Sequence, residues 1–241
     1  MDRFFRVEID EHGSSPSAQQ AIWRAQHQCV DEGFAWDAKV PSADKAGQAI
    51  IKHELQGDRG HYSVLTPAYL VLHAQGFPHS VVSQITRHSD SHFLVQSGRY
   101  TSKRFCKVAT ADLEVDEVFY FRTPDKKYVD RQGHRYIYSK EDYVFDRHTC
   151  IESCIVYKER IDKGWAEEHA RDMLPYNFRQ NFMMAGNLQD VFHWLDQRSK
   201  SDSQFEIRSF AELAMAKVLE FAPELGNWYF ENRYGRARLA P

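Results

Sequence analysis

The eighteen residues from Gln84 to Thr101, QITRHSDSHFLVQSGRYT, decide how this chain is read. Gln84, Arg87 and His88 stand three and four apart, a spacing that puts them on one face of a helix continuing from Pro78. Ser97-Gly98-Arg99 offers a hydroxyl, a backbone N–H with no side chain in front of it, and a guanidinium. The planar fork of arginine fits a phosphate bidentately, so the triplet is a candidate phosphate seat. Taken alone, such a tripeptide is more often a solvated polar loop. Its surroundings change that reading.

Outward from this stretch the pattern mixes strand and helix. Phe5, Val7 and Ile9 alternate on one face of a strand over Arg3 to Asp10. Helices are expected from Ala18 to Asp31 and from Ser42 to Leu55, and a buried strand from Ala68 to Ala74. Leu113 to Phe121 alternates and reads as a strand, and Tyr128 to Tyr138 reads as a hairpin turning at Gln132-Gly133. A long helix follows from Ser139 to Asp162, a shorter one after Gly164, a strand over Asn177 to Ala185, and a helix from Ser199 to Phe221 with Ser203 and Glu206 as its capping box. Leu188, Val191 and Leu195 recur at three and four and should be core. Without a regular βαβ alternation, the order predicts an α+β fold, a mixed sheet flanked by helices, as one domain over residues 1 to 241.

At 241 residues and 42% apolar content the chain can bury a core unaided. A net charge of −3 argues against a general nucleic-acid binder, and no run is apolar enough for a membrane span. The four cysteines form neither a disulfide framework nor a metal-binding pattern, so no metal is expected and the cytoplasm is the expected location. His53, His73 and His79 read as surface or satisfied groups, and Trp228, Tyr229, Phe230 and Tyr234 as packing or subunit contact.

Arg87-His88 followed by Gln96-Ser97-Gly98-Arg99-Tyr100 resembles the signature RHRxxSxxxxSxRY of flavin-dependent thymidylate synthases, the ThyX family. Gly60-His61-Tyr62-Ser63 resembles that family's GH-x-S/T segment, and Ala170 to Asn177 resembles its ARxxLPxN segment. Asn187-Leu188, Arg198 and Gln204-x-Glu206-Ile207 are similar to its NLRxxxxFxxxR…AQxEI stretch. The resemblance implies a homotetramer with active sites shared between subunits. It also implies methylation of dUMP at C5, with carbon from methylenetetrahydrofolate and hydride from FAD reduced by NADPH. By the same resemblance Gln84, Arg87, Ser97, Gly98, Arg99, Arg171 and Arg198 match nucleotide positions. Arg198 and Arg171 are the expected catalytic residues. His61, Ser63, Arg87, His88, Ser89, Asn187 and His193 are the expected flavin or folate positions.

Arg198 follows Asn187 by eleven residues, about three helical turns, so both share a helix face about 16 Å apart. An arginine at the pyrimidine carbonyls would stabilise charge building on the ring as C5 attacks an electrophile. The departures from the family pattern cluster. Ser89 stands where the signature has its second arginine, His92 where it has serine, Gln189 where it has the arginine of NLR, and Thr66-Pro67 where Glu-His is usual. The nucleotide positions keep their residue types and several flavin positions do not. That leaves two further readings: a variant C5 methylase or hydroxymethylase of UMP, dCMP or dUMP with altered flavin use, or a nucleotide-binding protein without turnover.

Overall fold

A computed structural model describes residues 1–58 and 60–236, which divide into two compact units. Of the described residues, 1–5, 75–85 and 94–182 make the first, and 6–58, 60–74, 86–93 and 183–236 belong to the second. The architecture is α+β, as the mixed pattern predicts. Four strands, β1 (Arg6–Ile9), β2 (Tyr69–Pro78), β3 (His92–Val95) and β6 (Arg179–Asn187), lie in one sheet in the order β1-β2-β6-β3. The chain passes from one unit to the other within β2, β3 and β6.

In the first unit, short helices α3 (His79–Ile85), α4 (Lys103–Ala109) and α5 (Val115–Val118) accompany the long α6 (Lys140–Asp162) and the single turn α7 (Glu167–Ala170). Ser139 starts α6 with a reciprocal capping box: its hydroxyl accepts from Asp142 N, and the Asp142 carboxylate accepts from the Ser139 amide. One face of α6 (Cys150, Cys154, Tyr157) closes a cluster with Phe105, Val108, Val115, Val118 and Phe119. The strands β4 (Lys126–Val129) and β5 (Arg135–Tyr138) pair antiparallel, with Val129 opposite Arg135, so the expected hairpin forms. The strand expected over Leu113 to Phe121 does not. Val115 and Val118, three apart, bury into the cluster, and Asp116 and Glu117 sit in the first turn of α5, where acidic groups favour a helix start. Extended backbone begins only at Phe119, which bridges to Phe178.

In the second unit, α1 (Ala18–Val30), α2 (Ala43–Ile50) and a π-helical turn over Ile51–Leu55 precede α8 (Leu188–Arg198), α9 (Phe205–Phe221) and α10 (Pro223–Asn232). Leu188, Val191 and Leu195 are buried, as their spacing requires. Phe192 stacks on Tyr229 with centroids 4.2 Å apart, and Trp194 meets Phe210 edge-on at 4.9 Å. Beneath the rings lies a buried polar network. Arg233 Nη2 donates to Asp196 at 2.6 Å, Tyr229 Oη to the same carboxylate at 2.9 Å, and Arg233 Nη1 to Tyr62 Oη at 2.7 Å. The capping box expected at Ser203 and Glu206 is absent. Ser203 Oγ donates to Gln197 O, and Glu206 accepts from Gln204, so α9 starts six residues later than expected.

Candidate functional site

The first unit carries the phosphate-seat triplet. After β3 the chain turns at Ser97, whose carbonyl accepts from Thr101 N and from Thr101 Oγ1 at 2.8 Å, while its hydroxyl accepts from Arg99 N at 3.3 Å. Ser102 Oγ then donates to Arg99 O at 3.1 Å. These bonds hold the turn and leave the Arg99 side chain exposed. Gly98 packs against Arg171: a Cβ there would come within 3.1 Å of Arg171 Nη1 and 3.6 Å of its Cδ. The resemblance blocks around Gly98 and Arg171 lie more than seventy residues apart in sequence, yet this unit brings them into contact. Gln84, also in this unit, donates to Ser80 O at 3.0 Å along α3.

The second unit carries the remaining expected residues. The helix face expected to join Gln84, Arg87 and His88 does not exist, because α3 ends at Ile85. Thr86 and Arg87 form a turn, and Ser91 N donates to His88 O in the next one. The run Arg-His-Ser-Asp-Ser supplies side chains that compete with a helical backbone for hydrogen bonds, which ends the helix there. His88 is buried, with 8% of its surface exposed. Arg198 Nε donates to His88 Nε2 at 2.8 Å, which makes that nitrogen an acceptor. Burial, the Arg198 charge and then His193 push the His88 pKa down to about 4, with only Asp90 opposing. His88 is therefore neutral at pH 7. Burial and the neighbouring Arg87 charge lower the Arg198 pKa, and the group stays cationic.

Asn187 caps α8 by accepting from Asp190 N at 3.0 Å, and Arg198 sits in the last turn of the same helix. His193 and Gln197 form an i,i+4 pair 2.6 Å apart on it. His61 and Ser63 are exposed at the start of a 3₁₀ turn, where Ser63 O accepts from Thr66 Oγ1 at 2.8 Å. Ser89 is exposed and its hydroxyl lies 3.4 Å from Asp90 Oδ1. The acidic neighbours are new to the reading. Burial, with Asp90 adding like charge, pushes the Asp190 pKa up.

Ser91 is the residue that sequence reasoning missed. It is 7% exposed, and its hydroxyl has no partner among the described residues. It lies 3.1 Å from where a Cβ on Gly186 would stand. A serine one position before His92, beside the place where the family has its serine, was the available signal. A flavin asks for hydrogen-bond partners along its ring system and positive charge at its pyrophosphate. Arg87 and Ser89, both exposed, can meet these needs, whereas His88 Nε2 is committed to Arg198 and the Ser91 hydroxyl is buried against Gly186. The group fits, with less positive charge than the family pattern would supply. Among the described residues no set of three or more His, Cys, Asp or Glu could hold a metal, and no helix is long and apolar enough to cross a membrane.

The family model "Thymidylate synthase complementing protein" matches residues 12–224. The chain belongs to this family. Membership makes it an enzyme of the methyltransferase type. The flavin-dependent thymidylate synthase of Haloarcula marismortui is 29% identical over 210 residues, covering 83% of this chain and 82% of that one. The Halobacterium salinarum enzyme is 28% identical, covering 76% of each chain. Among solved structures, the UMP/dUMP methylase PolB from Streptomyces cacaoi with 5-Br dUMP superposes with TM-score 0.74 at 19% identity, over 98% of this chain and 97% of that one. ThyX from Helicobacter pylori with FAD and dUMP superposes with TM-score 0.67 at 14% identity, over 91% of this chain and 99% of that one. These two likenesses establish the fold.

Proposed function

We propose that this protein methylates C5 of a pyrimidine nucleoside monophosphate, converting dUMP to dTMP, with methylenetetrahydrofolate as carbon donor and FAD reduced by NADPH. The observation that carries the reading is the approach of Arg171 to the Ser97-Gly98-Arg99 turn, where its guanidinium packs over Gly98. Two guanidinium groups and a hydroxyl on one turn suit an anionic nucleotide. In this reading Ser97, Gly98 and Arg99 hold the phosphate, and Gln84 and Arg87 complete the nucleotide contacts. Arg171 and Arg198 face the charge that develops on the pyrimidine carbonyls as C5 becomes nucleophilic. The Nε partner of Arg198 is a neutral imidazole, which sets no opposing charge against it.

His61, Ser63, Arg87, His88, Ser89, Asn187 and His193 are the expected flavin positions. When bound, FAD supplies the hydride that reduces the transferred carbon to a methyl group. The chain acts as one functional domain over residues 1 to 241, assembled as a homotetramer with shared active sites, in the cytoplasm. The test is release of tritium from [5-³H]dUMP by purified protein with methylenetetrahydrofolate, FAD and NADPH, with the product identified by mass. Release with dTMP formed supports the reading, and no release with either dUMP or UMP overturns it.

A second reading, a C5 methylase or hydroxymethylase of UMP or dCMP with altered flavin use, is favoured by Ser89 beside Asp90 where the family places a second arginine. The same assay with UMP and dCMP decides it, since a 5-hydroxymethyl product or a preference for either nucleotide would replace the first reading.

A further inference from the structure

We propose that His88 is a positioning residue: a neutral acceptor that fixes the orientation of the Arg198 guanidinium. This rests on the proposed nucleotide chemistry for its consequence, and on the geometry of the second unit for its structure. The family resemblance places His88 among the flavin contacts. In this chain its Nε2 accepts from Arg198 Nε at 2.8 Å, so that nitrogen is already committed to a protein group.

Three features favour a positioning role. A hydrogen bond at Nε directs the terminal nitrogens of the guanidinium away from the imidazole, which turns a flexible side chain into a fixed fork. The acceptor is uncharged, so it orients Arg198 without neutralising it. In the same unit Arg233 is held by the fully buried Asp196, and its charge is answered inside the protein. Finally, the groups facing His88 keep it in the accepting form. Burial and then Arg198 and His193 oppose a proton on it, and Asp90 alone favours one. Arg198 in turn meets the like charge of Arg87, which an acceptor at Nε offsets in part.

The tautomer follows directly. If Nε2 accepts, Nδ1 carries the only imidazole proton across the neutral range. Nitrogen-15 NMR of the holoprotein should show His88 unprotonated at Nε2 at pH 7. Arg198→Lys, which keeps the charge and removes the Nε donor, should shift that resonance. An imidazolium at pH 7, a proton on Nε2, or a resonance unmoved by Arg198→Lys would overturn the contact.

The function of the contact is read by an acceptor series. His88→Leu removes the acceptor, whereas His88→Gln offers a carbonyl oxygen near the place of Nε2. The expected result is a fall in kcat on the order of 10- to 100-fold in His88→Leu with KM for the nucleotide changed less, and recovery of most of it in His88→Gln. Equal losses in both variants at an unchanged melting temperature, or no loss in either, would overturn the proposal. Should His88→Leu fail to fold, His88→Gln and the tautomer decide it together. If the wild type turns over neither dUMP nor UMP, the functional reading fails by itself. The same series is then read on dUMP affinity by calorimetry, where Leu must weaken binding more than Gln for the positioning role to stand.

Discussion

Arg179 in the first unit and Arg198 in the second are arginines on adjacent stretches of the chain with opposite surroundings. Arg179 is buried and saturated. Its Nε donates to Asp116 O at 2.9 Å, its Nη1 to Gly76 O at 2.8 Å, and its terminal nitrogens clasp both carboxylate oxygens of Asp2 at 3.0 and 2.9 Å. Arg198 is half-buried, and its Nε partner is a neutral imidazole. Arg233, with Asp196, repeats the first pattern. An arginine answered by a carboxylate and carbonyls is part of the scaffold. One held at Nε by a neutral acceptor meets no opposing charge there. Residue type alone does not separate the two; the partner does.

The comparison breaks most visibly at Asp196. Asp196→Asn leaves Arg233 buried without a counter-charge and should cost about 3–5 kcal/mol in urea unfolding. Arg198→Met, at a half-buried position, should cost less, about 1 kcal/mol, and act instead on turnover. If the two variants lose similar stability, the distinction between scaffold and ligand arginines fails.

Arg99 sharpens the contrast from the exposed end. Its side chain is in solvent and its backbone is held through Ser97 and Ser102, so Arg99→Ala should leave the unfolding midpoint in place. Nucleotide affinity by calorimetry should fall on the order of 100-fold, the worth of a charge-assisted bidentate contact. Unchanged affinity would remove the phosphate seat.

Much of the architecture was legible because local patterns were strong. The long helix from Ser139, the hairpin turning near Gly133 and the buried stripe of α8 each follow from a few residues close in sequence. Leu113 to Phe121 misled because its apolar residues satisfy both a period of two and an i,i+3 pair, and only the cluster around Phe105 chooses. The helix over Lys103–Ala109 and the one over Pro223–Asn232 went unread, since their short apolar runs take direction from tertiary packing. At the site, the residue types were legible and their environments were not. Nothing near His88 in sequence announces Arg198 as its partner, 110 residues on. Nor does Ser91 announce that its hydroxyl is buried beside Gly186.

The environment of His88 has a pH signature of intermediate size. Its folded pKa of about 4 lies below the ordinary 6.5, so the unfolded chain binds the proton more readily between those values. Stability from this group is fully present above pH 6.5 and is lost as pH falls towards 4. Asp190, whose pKa is raised, acts in the opposite sense by holding its proton more tightly when folded. Asp10, Asp44 and Asp142, with pKa values held below 3.8, lose their contributions only in stronger acid. Unfolding midpoints measured from pH 7.5 to 4.5 should therefore fall less steeply in His88→Gln than in the wild type. Parallel curves would mean that His88 is not held neutral by the fold.

The smallest expected effect concerns Ser89. Ser89→Arg restores the Arg-His-Arg run and, in the proposed reading, brings a guanidinium within reach of the cofactor. A charge-assisted hydrogen bond of about 1.4 kcal/mol would raise FAD affinity about tenfold. The structure lowers that expectation, because the Ser89 hydroxyl lies against Asp90 Oδ1, and an arginine there gains a carboxylate at once. By the contrast between Arg179 and Arg198, an arginine answered by an aspartate is withdrawn from the ligand. Ser89→Arg alone should therefore gain less than about tenfold, and Ser89→Arg with Asp90→Asn should reach or pass it. Flavin fluorescence titration at matched ionic strength measures both, since these contacts are screened by salt. A double variant no tighter than the single would show that Asp90 does not compete for the new guanidinium. A loss of affinity in both would show that positive charge is already sufficient without it, and that Ser89 marks a pocket rebuilt around neutral donors.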